Sequence, residues 1–179
     1  MKNKNICVFC GSKSGNSPLY EEAAQELGVA IAQKNCKLIY GGGKVGLMGT
    51  VADACLDLGG EVIGVIPKQI VELEVAHQNL TELRVVESMH ERKATMEALS
   101  DKVVVLPGGF GTLDELNEIL TWKQLGYHQM PIYILNINNY FNKFLEFVDH
   151  AVKEGFLTKD HQDYIIVCSS VKELLDHWS

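Results

Sequence analysis

The nine residues Pro107-Gly108-Gly109-Phe110-Gly111-Thr112-Leu113-Asp114-Glu115 follow directly on the apolar run Val103-Val104-Val105-Leu106. Glycines at 108, 109 and 111 describe a backbone that turns tightly or comes close to something. A strand before it and a helix after it put that backbone at a helix N-terminus. Unpaired N–H groups and the helix dipole favour a phosphate there. Glu115, four residues past Gly111, lies one helical turn in and can face the same pocket. A phosphate cradle with a carboxylate beside it suits the handling of a phosphorylated small molecule.

A second group is Ser88-Met89-His90-Glu91-Arg92-Lys93, at the start of another helix. Cations at that end oppose the dipole, so an anionic ligand explains them better than a bare surface does. Arg grips a phosphate or a ribose oxygen at two points, whereas Lys supplies a point charge. A solvated charged turn is the plainer alternative. Ser88 and Glu91 have capping-box spacing, and so do Thr112 and Glu115, so each glutamate also has a capping reading. His90 alone says little. Asp114 lies about 100° round the helix from Glu115 and is expected to point elsewhere. Glu118 shares a face with Glu115 and is a candidate second acid.

These groups must be held by something, and the chain alternates short apolar runs with longer amphipathic ones. The runs 6–10, 37–40, 61–66, 83–86, 103–106, 132–135 and 164–167 read as strands. Segments near 19–34, 47–58, 88–99, 113–125, 140–154 and 171–177 read as helices, the first opened by Ser17-Pro18. Continuous Val/Ile/Leu strands suit burial on both faces. The alternation predicts βαβ units: a Rossmann-like, doubly wound, mostly parallel sheet flanked by helices, in a single domain over 1–179. In such a sheet ligands bind outside the carboxyl ends of the strands. Small, flexible and cationic residues collect there: Gly11-Ser12-Lys13-Ser14-Gly15, Gly41-Gly42-Gly43-Lys44-Val45-Gly46, Pro67-Lys68, the Arg92-Lys93 group and the Pro107–Thr112 loop.

Several functions are disfavoured. Gly41, Gly43 and Gly46 fit G-x-G-x-x-G, but the acid that should end the next strand is at its beginning, as Glu61. Tight turns and close helix–strand packing are the other explanation for these glycines. No G-x-x-x-x-G-K-[ST] loop occurs. Net charge is −7 over 179 residues, with 46% hydrophobic and 22% charged residues, so no broad basic surface attracts nucleic acid. No apolar stretch approaches a membrane span of roughly 20 residues. Met1–Asn5 runs into a strand without a secretory core, which makes cytoplasm the simplest compartment. Cys7 and Cys10 form C-x-x-C, but on a strand they point to opposite faces, and the expectation is buried thiols without a metal.

The segments Ser88–Met96 and Pro107–Glu115 resemble the LOG ("Lonely Guy") family, an Arg-Lys helix start followed by P-G-G-x-G-T-x-x-E. Phe9–Ser12, Tyr40–Gly43, Gly46–Gly49 and Leu120–Gly126 are similar as well. The family comprises cytokinin riboside 5′-monophosphate phosphoribohydrolases, long labelled "possible lysine decarboxylase". The resemblance implies a Rossmann-like homodimer without cofactor or metal. The implied reaction hydrolyses the N-glycosidic bond of an N6-modified adenosine 5′-monophosphate, giving free base and ribose 5-phosphate. It implies Arg92 and Glu115 as the essential pair and Pro107, Gly108, Gly109, Gly111 and Thr112 as the phosphate loop. Met89, Lys93, Gly11, Ser12, Gly42 and Gly43 would line the nucleotide site; Lys44 has no assignment.

A carboxylate near a sugar suits this chemistry, because glycosidic cleavage passes through an oxocarbenium-like transition state. It could also orient water. The decarboxylase label finds no support, since that chemistry needs an electron sink such as pyridoxal phosphate on a recognisable lysine. A non-catalytic purine-nucleotide-binding module is the alternative from another class, and plain AMP or another purine monophosphate is the alternative substrate. The apolar residues Leu116, Ile119, Leu120 and Trp122 offer a dimer contact or, equally, core packing.

Overall fold

The computed structural model describes residues 4–71 and 75–178. Met1–Asn3, part of the segment expected to lack a secretory core, lie outside the described residues. The chain runs β1 (Asn5–Phe9), α1 (Pro18–Gln33), β2 (Lys37–Tyr40), α2 (Gly46–Leu56), β3 (Glu61–Pro67), β4 (Glu82–Val86) and α3 (Met89–Ala98). It continues through β5 (Lys102–Val105), α4 (Phe110–Gln124), β6 (Ile132–Leu135), α5 (Asn142–Lys153), α6 (Lys159–Gln162), β7 (Ile165–Cys168) and α7 (Val171–Asp176).

The strands form one sheet in the order β4-β3-β2-β1-β5-β6-β7, and every pairing is parallel. The expected "mostly parallel" sheet is therefore parallel throughout. The chain winds outward from β1 to the β4 edge, then returns to lay β5 against β1, with Val8 opposite Val104. That reversal opens a crevice between the loops after β1 and β5, the position where doubly wound sheets take ligands.

Both sheet faces are covered, which is why the central strands are apolar on both sides. One face packs Leu27, Ile31, Val51 and Leu174, from α1, α2 and α7, against Val8, Leu38 and Val104. The other packs Met96, Leu116, Ile119 and Phe144, from α3, α4 and α5, against Ile39, Val65 and Val105. Cys7 and Cys10 fall into opposite cores, as expected of side chains three apart on a strand. Leu116 and Ile119 are 0% and 3% exposed, so core packing takes these two, while Leu120 and Trp122 are half-buried against the same core. No described helix is long and apolar enough to cross a membrane.

Helix ends follow local chemistry, with informative departures. Ser88 Oγ accepts the Glu91 N–H at 3.1 Å, and Glu91 Oε2 accepts the Glu87 N–H at 2.8 Å, so Glu91 is a capping acid. Ser17 stands at the N-cap of α1 without a side-chain cap bond, and Pro18 opens the helix. The helix expected from Leu113 starts at Phe110, with Gly109 as its N-cap. Thr112 is then the third residue of α4, inside its first turn, and not the N-cap that a capping box with Glu115 would require. The short α6 escapes the periodicity; its capping box pairs Thr158 with His161.

Helices α1 and α2 touch at Gly28. A Cβ there would collide with the Val51 carbonyl and stand 2.8 Å from Ala54 Cβ. Alanine gains up to about 1 kcal/mol of helix propensity over glycine. Overpacking a tight contact costs about 1–3 kcal/mol. Gly28→Ala should therefore lower unfolding stability in urea; a stabilised variant would show that the two helices separate freely.

Candidate active site

Arg92, on the first turns of α3, is only 4% exposed. Its Nε donates to the Val65 carbonyl at 3.0 Å and its Nη2 to the Gly41 carbonyl at 2.7 Å. Nη1 reaches Met89 Sδ at 3.8 Å. Those carbonyls lie in and just beyond the carboxyl ends of β3 and β2, so the guanidinium crosses the rim of the sheet. Gly41 is what lets it in: a Cβ at this position would collide with Nη2 and sit 3.2 Å from Cζ.

Glu115 lies on α4, half-buried, beyond the helix's opening turn. Arg92 and Glu115 line one cavity of about 220 Å³, together with Gly11, Ser12, Met89 and the N-terminal residues of α4. Their opposite charges reach the floor of that cavity. Burial pushes the Cys7 thiol up, Glu115 adds to the rise, and Arg92 opposes it. Burial and Glu115 raise Cys10 as well. Neither thiol is a ready nucleophile under those conditions.

Lys93 holds the two functional helices in register. Its Nζ pairs with Asp114 Oδ2 at 3.1 Å and Glu118 Oε2 at 3.0 Å, joining α3 to α4. Desolvation alone would lower its pKa, but the hydrogen bonds and charges of Glu118 and Asp114 outweigh it and the pKa is raised. Lys93 does not line the cavity; it sets the spacing of the side chains that do. Asp114, expected to point elsewhere, lines the rim while bound to Lys93.

The anion end of the cavity is built by α4. With Gly109 as N-cap, the amides of Phe110, Gly111 and Thr112 are the first of the helix and lack intrahelical partners. Gly108 is fixed by packing, since a Cβ would stand 2.7 Å from Thr112 Cβ and 2.8 Å from Gly11 N. Gly109 and Gly111 are different: a Cβ on either meets nothing within 4 Å. Packing does not require these two glycines, and both line the cavity. Phe110, between them, is 94% exposed.

The cavity thus brings together Arg92, Glu115, Gly11, Ser12, Met89, Gly109, Gly111 and Thr112. Pro107 and Gly108 line an adjoining cleft that shares Gly11, Ser12 and Gly109 with it. Gly42 and Gly43 stand apart. Gly42 accepts the His77 N–H at 2.9 Å through its carbonyl, and Gly43 accepts the Tyr40 hydroxyl at 3.1 Å. From the same loop it is Gly41 that lies on the cavity wall. Met48, Asp114 and Phe110 also line the cavity without having been selected. Among the described residues no group of three or more His, Cys, Asp or Glu is arranged for a metal ion.

This arrangement defines a class: Rossmann-like α/β proteins with a charged cavity at the topological switch of a parallel sheet. Solved structures agree on the fold. The molybdenum cofactor binding protein of Rippkaea orientalis matches with a TM-score of 0.76 at 20% identity, covering 99% of this chain and 96% of that one. The Moco carrier protein of Chlamydomonas reinhardtii matches at 0.74 and 21%, with the same coverage. The particular family is fixed by sequence. Residues 48–178 match the family described as "Possible lysine decarboxylase". Cytokinin riboside 5′-monophosphate phosphoribohydrolase LOG1 of Arabidopsis thaliana is 47% identical over 174 residues, 97% of this chain and 82% of the relative. Its namesake LOG of Oryza sativa subsp. japonica is 46% identical over 172 residues, 96% of this chain and 71% of the relative. The chain belongs to this family, the LOG family.

Seating Arg92 depends on a missing Cβ, and the obstacle a Cβ would meet is the guanidinium itself. Gly41→Ala should displace the guanidinium from the Val65 and Gly41 carbonyls and lower the melting temperature. The Arg92 Nε–H resonance, held on the Val65 carbonyl, should shift or broaden in nitrogen-correlated NMR. An unmoved resonance would mean that the glycine is not what admits the arginine.

Proposed function

We propose that the protein hydrolyses the N-glycosidic bond of N6-modified adenosine 5′-monophosphates, releasing the free base and ribose 5-phosphate. One observation carries the reading: a buried guanidinium and a carboxylate share a single cavity with an open helix N-terminus. Relatives named for this activity at 45–47% identity over nearly the whole chain support it.

The 5′-phosphate binds the first amides of α4, where hydrogen-bond donors and the positive end of the dipole converge. This fixes the sugar beside Glu115. The carboxylate stabilises positive charge growing near C1′ and positions the water that attacks there. Arg92, fixed by two carbonyls, orients the nucleotide and favours departure of the base. Substrate binding by Met89, Gly11 and Ser12 completes the site, and no metal or organic cofactor takes part. Lys93 acts by holding α3 to α4. The working unit is a homodimer in the cytoplasm, acting on free nucleotides and not on nucleic acid. Phe110, Leu125 and Tyr127, at 94%, 64% and 74% exposure, supply apolar surface for the second copy.

A pure nucleotide binder would gain nothing from a carboxylate next to a phosphate. Glu115→Gln should lower kcat for an N6-prenylated AMP by at least about a hundredfold, read as ribose 5-phosphate released, with the circular dichroism of the fold retained. Wild-type-like turnover would remove the assigned role. Arg92→Ala is a harsher change, because it also strands the Val65 and Gly41 carbonyls, at about 1–3 kcal/mol for each buried group.

Gly111 separates binding from folding. Alanine in a helix is favoured over glycine by up to about 1 kcal/mol, and here it meets no protein atom within 4 Å. Gly111→Ala should raise the melting temperature and raise KM for the nucleotide. A more stable variant with unchanged KM would place the phosphate elsewhere.

A further inference from the structure

Tyr140 stands outside the Arg92–Glu115 cavity, on the adjoining cleft of about 340 Å³. Its hydroxyl donates to the Gly108 carbonyl at 2.5 Å. The chain makes a demanding turn to put it there. Asn138 and Asn139, successive residues after β6, both adopt left-handed backbone, with φ of 53° and 58°. Asn enters that region more readily than most residues. The Asn136 side chain accepts the Phe141 N–H and donates to Asn142 Oδ1, each at 2.8 Å. The Tyr140 ring meets Tyr20 edge-on at 5.8 Å and Phe141 at 5.1 Å.

The consequence follows from peptide geometry. Among the described residues no peptide bond is cis, so the carbonyl of Gly108 and the N–H of Gly109 point in opposite directions within one peptide plane. Tyr140 draws that carbonyl into the adjoining cleft. The Gly109 N–H is thereby turned the other way, toward the cavity that Gly109 also lines. Neighbouring carbonyls are withdrawn too: Pro107 accepts the Gly11 N–H at 3.0 Å and Gly109 accepts the Leu113 N–H at 3.1 Å. Two adjacent glycines carry no Cβ to oppose a peptide flip. A flipped unit would present a carbonyl oxygen to the anion in place of an N–H.

We propose that Tyr140 is a positioning residue whose hydroxyl locks the Gly108–Gly109 peptide with the Gly109 N–H facing the substrate's phosphate. The proposal rests on the reading of this cavity as a nucleoside monophosphate site. It assigns Tyr140 to phosphate affinity and keeps it away from the glycosidic bond.

Tyr140→Phe removes the hydroxyl and keeps both ring contacts. On the full chain, calorimetry with ribose 5-phosphate should show Kd raised about three- to tenfold, the effect of one hydrogen bond. KM for N6-prenylated AMP should rise by the same factor with kcat changed less than about twofold. Affinity for adenosine, which has no phosphate, should stay as in the wild type. The readout is the ratio of the two affinities. General damage to the variant weakens both ligands alike and would overturn the proposal, as would an unchanged Kd for ribose 5-phosphate. The two readings fail differently. Wild-type protein that binds ribose 5-phosphate without hydrolysing any nucleotide would sink the hydrolase and leave the lock to the Tyr140→Phe ratio. Full hydrolysis with a normal ratio in the variant would sink the lock alone.

Discussion

Arg92 carries a full positive charge to a position with 4% exposure, and the cavity is organised around that fact. Removing such a group from water costs on the order of several kcal/mol, even after the protein relaxes. Hydrogen bonds from the guanidinium to the Val65 and Gly41 carbonyls recover about 1.5–3 kcal/mol each. The same cavity holds the Glu115 carboxylate and the helix N-terminus that suits a phosphate, so the guanidinium works among groups of both signs. A buried arginine beside a carboxylate in a cavity is a recurring arrangement of functional sites, where burial and charge are spent on positioning as well as on stability.

Glycine does two jobs in this molecule, and separating them clarifies the site. Gly28 and Gly108 yield to neighbouring backbone or side chains, where an added Cβ would meet protein. Gly41 yields to the Arg92 guanidinium. Gly109 and Gly111 yield to nothing in the chain, although they stand where the first amides of α4 open on the cavity. A glycine that the fold does not need, next to unpaired N–H groups, marks the place where something other than protein makes the close approach.

This distinction also explains what could be read from sequence. The strands were legible because burial on both faces leaves continuous apolar runs such as Val103–Leu106. The βαβ alternation made a Rossmann-like sheet predictable, and the loops after β1 and β5 were correctly placed at its crevice. The start of α4 was not legible. Gly109 and Gly111 look like loop residues by propensity, and the Thr112–Glu115 spacing mimics a capping box. The second glycine loop was ambiguous for a physical reason: a glycine makes room for backbone, for a side chain or for a ligand with the same letter. Only coordinates separate Gly41, which seats Arg92, from Gly42 and Gly43, which serve the loop itself. The charge of Lys93 is visible in sequence, whereas its carboxylate partners on α4, Asp114 and Glu118, are not. Leu116 and Ile119 had two equal readings until the sheet was seen to cover them.

The net charge of −7 sharpens the argument for a local device. A chain of that sign repels an anion at long range, so its binding free energy must be gathered within a few ångströms. Fixed dipoles do this well, because they are oriented before the ligand arrives and need no reorganisation when it binds. Here the orientation is supplied from several directions at once. Helix α4 aligns its own first amides, Lys93 fixes α4 against α3, and Tyr140 holds the one peptide in the loop that glycine leaves free to turn. Lys93 and Tyr140 exert their restraint without lining the cavity themselves. Their sum is a small volume in which a guanidinium and the first amides of α4 are held in place beforehand, and that fixed array is what a phosphorylated sugar would meet.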